Sequence, residues 1–248
     1  MSDTAAVTDT CKEAAARAAV ALVEDGMRLG LGTGSTSAAM VRLLAVRASA
    51  EGLRLRCVAT SEATAALATS LGLVVEPLDT LGQLDMTIDG ADEIDPDLNL
   101  IKGGGGALLR EKIVAAASDR MVVIADPGKV VDQLGAFHLP VEVIPFGWES
   151  TQRLIARTLD RLDLAQRPVL LRRHEGAPFR TDEGNLILDL SLECIHDPAR
   201  LAQALNAIPG VVETGLFLGM AERALIGKPD GTSAELLSET AAAEEGEA

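Results

Sequence analysis

Tyrosine is absent from this chain, and aromatic residues make up only 2% of its 248 positions. That scarcity excludes the stacking platforms on which single-stranded nucleic acid is held. It also leaves the core to Leu, Val, Ile and Ala. Histidine occurs three times, at His138, His174 and His196, and none has a partner at metal-ligand spacing. Cysteine is as sparse: Cys11, Cys57 and Cys194 stand far apart. An odd count without paired spacing makes a poor disulfide framework, so the three are expected as small buried hydrophobes in a reducing compartment. Long apolar runs are missing too. Ala14 to Val23 is short and is broken by Arg17, well below the roughly 18–20 residues a membrane helix needs.

Positive charge is also in short supply. There are 22 Lys and Arg against 37 Asp and Glu, a formal net charge of -15. Such a chain repels nucleic acid and anionic membranes on average. Met1 to Thr10 is polar and acidic, with neither a basic nor an apolar leader region. A soluble, cytoplasmic protein without nucleic-acid or membrane partners is expected. A small anionic substrate remains allowed, because backbone N–H groups and one or two lysines suffice for a local positive pocket.

What is present is a sizeable apolar fraction, 48%, arranged as short runs between helical stretches. Cys11–Asp25 reads as an Ala-rich helix ended by Gly26, and Met27–Leu31 as a strand. Ser37–Arg47 is a helix, Leu55–Ala59 a strand, and Ser61 caps a helix to about Leu71. Leu73–Glu76, Leu84–Ile88 and Met121–Ala125 read as strands, with a helix over Ala107–Ala117. Continuous apolar strands alternating with helices predict a doubly wound, mainly parallel α/β sheet.

The pattern changes near Gly135. Val141–Ile144 and Pro168–Leu171 read as strands, Trp148–Leu162 and Pro198–Ala207 as helices. Asp182–Asn185 reads as the turn of a hairpin between Phe179–Thr181 and Leu186–Leu190. This predicts a smaller α+β domain over 135–207, set between 1–134 and 208–248 of the larger one. The apolar runs Val211-Val212, Leu216–Leu218 and Ala224–Ile226 are expected to return to the first sheet. The Ala/Glu/Gly tail, Glu239 to Ala248, is expected to fray.

Four segments carry chemistry. Gly32-Thr33-Gly34-Ser35-Thr36-Ser37 lies between a strand and a helix. Glycines turn the backbone tightly there, and the helix start offers N–H groups to a phosphate. A tight turn with a helix cap reads equally well. No Gly-Lys-Ser/Thr follows, and the third glycine of a dinucleotide fingerprint is missing. Asp89-Gly90-Ala91-Asp92-Glu93-Ile94-Asp95 ends a strand, where open α/β sheets bind ligands. A solvated acidic loop and a Mg²⁺ or Ca²⁺ site are the alternatives, though it lacks the EF-hand glutamate. Lys102-Gly103-Gly104-Gly105-Gly106 leads into Arg110-Glu111-Lys112. Four successive glycines cost backbone entropy, and close approach to a ligand explains them better than a linker does. Lys102 suits an oxyanion partner. Glu111, near the helix start, either points back over that loop or is an ordinary exposed helix glutamate. Asp126-Pro127-Gly128-Lys129 follows a strand, and Lys129 is a phosphate ligand or an exposed turn lysine.

Together these segments resemble the ribose-5-phosphate isomerase A family. Gly32–Thr36, Asp89–Glu93, Ile101–Gly105 and Arg110–Lys112 carry the likeness, with Val141–Pro145 and Pro209–Phe217. Six short motifs in register, from about Lys12 to Gly227, are specific where each alone is weak. The resemblance implies a Rossmann-like domain with an inserted ferredoxin-like domain. It implies that Thr33, Gly34, Ser35 and Thr36 hold phosphate. It places Asp89, Gly90, Ala91, Asp92, Lys102, Gly103, Gly104 and Gly105 around a sugar. Glu111 is then the general base, Lys129 a substrate-binding lysine, and Lys12 a less secure match near the phosphate.

The implied reaction interconverts ribose 5-phosphate and ribulose 5-phosphate through a cis-enediolate, without cofactor or metal. Asp89 and Lys102 assist Glu111. The expected assembly is a homodimer, or a homotetramer. Gly106 departs from the family pattern, where alanine is expected, and the acidic tail extends beyond the usual end. A coenzyme A transferase with a glutamate nucleophile is the rival enzyme. A sugar-phosphate-sensing module of a regulator is the rival non-enzyme, although no basic DNA-binding segment is present.

Overall fold

A computed structural model describes residues 2–237; the tail expected to fray lies outside them. The chain forms two compact units. The first comprises Met1–Ala91, Arg110–Val130 and Gly219–Ala248, the second Asp92–Leu109 and Val131–Leu218. These bounds differ from the breaks at 134/135 and 207/208 that the pattern suggested.

The first unit is built on six strands. In sheet order they are Ser233–Leu237, Ala221–Gly227, Met121–Ala125, Met86–Gly90, Arg28–Leu31 and Arg56–Ala59. All neighbours run parallel except the edge strand Ser233–Leu237, which is antiparallel. This is the mainly parallel sheet that the alternation of elements implied, and the Rossmann-like domain that the resemblance implied. Leu29, Leu31, Met86, Ile88, Val122 and Ile124 fill its core with Met40 and Leu44 of the helix Ser35–Glu51.

The first helix runs over Ser2–Ala21, starting and ending earlier than Cys11–Asp25. Ala15, Ala16 and Ala19 are fully buried on it. Small side chains let the helix lie close to the sheet: a Cβ on Gly227 would overlap the Cys11 carbonyl. Ser61 caps the helix Glu62–Ser70 by accepting from Thr64 N at 3.1 Å. The expected strand Leu73–Glu76 shrinks to a bridge between Cys57 and Val75. Pro77 then starts the short helix Leu78–Leu81.

The second unit holds an antiparallel sheet with the order Val211–Thr214, Leu139–Val143, Leu186–Leu190, Val169–Leu171. With the helices Trp148–Arg161 and Pro198–Asn206 the chain order is βαββαβ, the ferredoxin-like arrangement. Alternation decides the faces. Leu139, Val141 and Val143 pair with Leu190, Leu188 and Leu186 and bury against Ile155, Leu159, Leu201 and Leu205. The intervening Pro140, Glu142, Ile187 and Asp189 occupy the opposite face. A three-stranded sheet of Leu216–Phe217, Leu100–Ile101 and Glu93–Ile94 completes this unit.

Three expectations change here. Val211–Thr214 and Leu216–Phe217 join sheets of the second unit; only the run containing Ala224–Ile226 returns to the first sheet. The turn at 182–185 exists, with Gly184 N donating to Thr181 O at 2.8 Å. Its strand Leu186–Leu190, however, pairs with Leu139–Val143 and Val169–Leu171 rather than with Phe179–Thr181. The tight hairpin instead joins Arg173–His174 to Ala177–Pro178 through Glu175 and Gly176, both at positive φ. Cys11 and Cys57 are buried as expected, but Cys194 is half-buried, with its Sγ 2.8 Å from Gln133 Oε1.

Candidate active site

In the first unit, Gly32 and Asp89 follow or end adjacent parallel strands at their carboxyl ends. The chain runs from Arg28–Leu31 outward to Arg56–Ala59, then crosses back to Met86–Gly90 on the other side. That reversal is a topological switch point, where such sheets open a crevice for ligands. Asp89 is fully buried. Its Oδ1 accepts from Gly90 N at 2.7 Å, Thr33 N at 3.1 Å and Ser37 Oγ at 3.3 Å. The acid thereby ties the glycine turn to the neighbouring strand.

Gly34 caps the helix Ser35–Glu51 at φ 107°, a left-handed conformation that side chains rarely adopt. The Ser35 and Thr36 positions form the first turn of that helix. The Thr33 hydroxyl turns inward. It lies 2.7 Å from Thr60 Oγ1 and donates to Ser61 Oγ at 2.9 Å. Thr64 Oγ1 closes this hydroxyl cluster by donating to Gly32 O at 3.1 Å. Thr60 and Thr64 were not singled out in the sequence; their isolated hydroxyls carry no pattern. Lys129 ends the 3-10 turn Pro127–Lys129, directly after the strand Met121–Ala125, and Asp126 caps that turn through Gly128 N at 3.0 Å. Glu111 lies in the first turn of the helix Leu108–Ala116 and is 5% exposed. It is therefore not an ordinary exposed helix glutamate.

In the second unit, Asp92 Oδ2 accepts from Gly104 N at 2.7 Å. Lys102 is 2% exposed, and its Nζ lies 5.5 Å from the centre of the Phe217 ring. This is cation–π distance. Lys102 N donates to Gly215 O at 2.9 Å, which anchors the start of the glycine loop. Gly103 has φ 101°, and Gly106 N closes a turn on Gly103 O at 3.0 Å. Gly104 and Gly105 are exposed at its tip.

The remaining acids of the Asp-rich segment are structural. Glu93 is buried and accepts from Gly135 N at 2.6 Å and from Phe137 N. Asp95 holds its own turn through Asp97 N at 3.0 Å and Asn99 N at 2.8 Å. Among the described residues, no three His, Cys, Asp or Glu side chains converge as a metal-ligand set.

Sequence reasoning missed Arg172. Its Nη1 donates to Gly103 O at 2.8 Å and Gly104 O at 3.1 Å, while Nε and Nη2 hold Asp189 at 2.9 and 2.6 Å. It stands 69 residues from Gly103 in the chain, and no local signal joins them.

A parallel α/β sheet with a buried carboxylate at its switch point marks the first unit, and a glycine turn next to a buried lysine marks the second. Residues 56–231 match the family model of ribose 5-phosphate isomerase A (phosphoriboisomerase A). The chain is 61% identical over 224 residues to the ribose-5-phosphate isomerase A of Jannaschia sp. (strain CCS1), covering 90% of this chain and 86% of the relative. The structure of the Plasmodium falciparum ribose 5-phosphate isomerase superposes with a TM-score of 0.87 at 36% identity, over 94% of this chain and 99% of the other. A D-ribose-5-phosphate isomerase in complex with phospho-erythronic acid gives 0.83 at 35% identity, over 91% and 97%. The chain belongs to the ribose-5-phosphate isomerase A family, and the enzymes of that name are isomerases.

Proposed function

We propose that this chain interconverts D-ribose 5-phosphate and D-ribulose 5-phosphate through a cis-enediolate, with Glu111 as the base. Membership of the family supports the reaction. The observation that carries the base assignment is the burial of Glu111 in the first turn of the helix following the glycine loop.

Moving the carbonyl from C1 to C2 requires a proton to leave C2 and arrive at C1, while the C2 hydroxyl loses its proton and the C1 oxygen gains one. One carboxylate on one face of the enediolate does both transfers at carbon. The electrons stay within the substrate, so the chemistry calls for no redox cofactor. Asp89 assists opening of the sugar ring, and Asp92 places hydroxyls. Lys102 and the N–H groups of Gly103 and Gly105 stabilise the enediolate oxygen, while Gly104 surrounds the sugar with its N–H on Asp92. Gly90 and Ala91 lie against the sugar. Gly34, Ser35, Thr36 and Lys129 hold the phosphate, remote from the reacting carbons. Thr33, whose hydroxyl is committed to Thr60 and Ser61, contributes by fixing that turn. A cytoplasmic homodimer is the assembly we propose.

The test is incubation with ribose 5-phosphate in deuterated solvent. Appearance of ribulose 5-phosphate, with solvent deuterium at the exchanging carbon, is expected. A chain that forms no ribulose 5-phosphate, but a covalent glutamyl thioester with an acyl-coenzyme A, would be a transferase instead.

A further inference from the structure

The glycine loop closes on one backbone turn of its own, Gly106 N on Gly103 O, which leaves the Gly104 and Gly105 peptides at its tip to be set from outside. Four glycines supply no side chains, and each populates conformations that other residues avoid. Something must choose one peptide orientation. Arg172 is placed to do so. Its Nη1 donates to two successive carbonyls, those of Gly103 and Gly104. In a trans peptide the N–H points opposite to the C=O, and this chain has no cis peptide bond among the described residues. With both carbonyls drawn to Arg172, the N–H groups of Gly104 and Gly105 face the other way. Gly104 N–H reaches Asp92 Oδ2 at 2.7 Å, on the side away from Arg172.

The arginine is itself held. Asp189 takes Nε and Nη2 in a two-pronged bond, the geometry that suits a guanidinium fork. The backbone N of Arg172 donates to Ile187 O, and the Arg172 carbonyl accepts from Phe179 N, both at 2.9 Å. The Phe179 ring lies 5.9 Å from the guanidinium carbon. A Cβ on Gly106 would overlap that same ring. The glycine that departs from the family pattern thus makes room for the aromatic beside the arginine. All three guanidinium nitrogens are engaged within the protein. Four of its five N–H groups are committed to Asp189 and to the loop carbonyls, so its main effect passes through the loop.

We propose that Arg172, held by Asp189, is a positioning residue for the isomerisation. It fixes the Gly103 and Gly104 peptide planes so that the Gly104 N–H holds Asp92 and the Gly105 N–H faces the substrate's developing enediolate oxygen. The proposal rests on the reading above, in which the glycine loop surrounds the sugar. Donors aimed in advance at developing charge lower the barrier more than they tighten ground-state binding.

The test compares wild type, Arg172→Ala and Arg172→Lys by steady-state kinetics with ribose 5-phosphate. Inhibition by phospho-erythronic acid, whose planar carboxylate resembles the enediolate, is measured alongside inhibition by inorganic phosphate. Arg172→Ala is expected to lower kcat by roughly 10- to 100-fold, the scale of one misplaced donor set. KM and inhibition by phosphate should change little, while inhibition by phospho-erythronic acid weakens in step with kcat. Added guanidinium ion should restore part of the loss. Arg172→Lys keeps the charge but not the fork, and should fall between the two.

A folded Arg172→Ala with wild-type kcat overturns the proposal. So does a loss shared equally by phosphate binding, which would mark general disruption. Should Arg172→Ala fail to fold, wild-type kcat in Arg172→Lys overturns it. Glu111→Gln separates the two readings. If Glu111→Gln is inactive and Arg172→Ala normal, only the positioning role falls. If Glu111→Gln turns over normally, the base assignment falls whatever Arg172 does.

Discussion

The Asp89 carboxylate stands where a Cβ on residue 32 would have to go. Gly32 is therefore required by its neighbouring strand as well as by its turn. Gly32→Ala forces Asp89 aside and breaks its shared acceptor position for Thr33 N and Gly90 N. We expect a stability loss of about 1–3 kcal/mol, the usual scale of overpacking, read as a lower melting temperature. Activity at saturating substrate should fall as well, because the displaced acid is the proposed ring-opening group. Unchanged melting and turnover would show that the strand ends can spread.

Glu111→Gln keeps the size and much of the hydrogen bonding of the side chain but cannot accept a proton. A fall in kcat of roughly 10²–10⁴-fold is expected, with KM moving less. Exchange of the C2 hydrogen with deuterated solvent should fall in parallel. Asp89→Asn is the control: slowed ring opening leaves exchange on the open-chain form intact. Circular dichroism must show both variants folded. Near-normal turnover in Glu111→Gln would pass the role of base to Asp89 or Asp92.

Lys129→Ala and Thr36→Ala should act mainly on KM. Both positions are proposed to grip the phosphate, away from the proton transfer. Remote binding also serves to lower the barrier, so a smaller fall in kcat accompanies it. Steady-state kinetics on both variants decide. Normal KM in both would remove the phosphate assignment from these two loops.

Arg28 and Asp85 make a pH-dependent contribution to stability. The Arg28 guanidinium and backbone N, at 2.7 and 2.6 Å from the two carboxylate oxygens, hold the Asp85 carboxyl below its ordinary value of 3.8. A lowered carboxyl stabilises the folded state fully above its unfolded pKa, and loses that contribution as pH falls through the folded one. The melting temperatures of wild type and Asp85→Asn should therefore differ by a constant amount above about pH 5 and converge below about pH 4. Both side chains are about one-third exposed, so added salt should shrink the difference. A gap that persists unchanged at low pH would show that the pair does not titrate in this way.

Much of the proposed site could be read from the chain because its signals are local. Apolar runs that end in glycine, aspartate and hydroxyl residues mark strand ends and helix starts within a few positions. So Gly32–Thr36, Asp89–Asp92, Lys102–Gly105 and Lys129 could be found without coordinates. The exposure of Glu111 could not, since a glutamate on a helix carries no mark of the surface that covers it. The burial to 5% comes from packing.

The sequence by itself determined where most chain elements lie and which turns need glycine, although the first helix begins at Ser2 rather than Cys11 and Leu73–Glu76 is only a bridge. Backbone sterics and hydrophobic periodicity act over short spans, so composition suffices for them. Tertiary structure alone decided which strands pair and which polar groups meet. Val211–Thr214 carries the same apolar signal as a strand of the first sheet, yet it pairs with Leu139–Val143. Asp89, Asp92, Glu93 and Asp95 all accept from backbone N–H groups, and only the structure shows which turn each one ties down. Arg172 meets Gly103 across 69 residues. Such pairings depend on which faces come together once apolar surface is buried, and burial is non-directional. No local pattern specifies them.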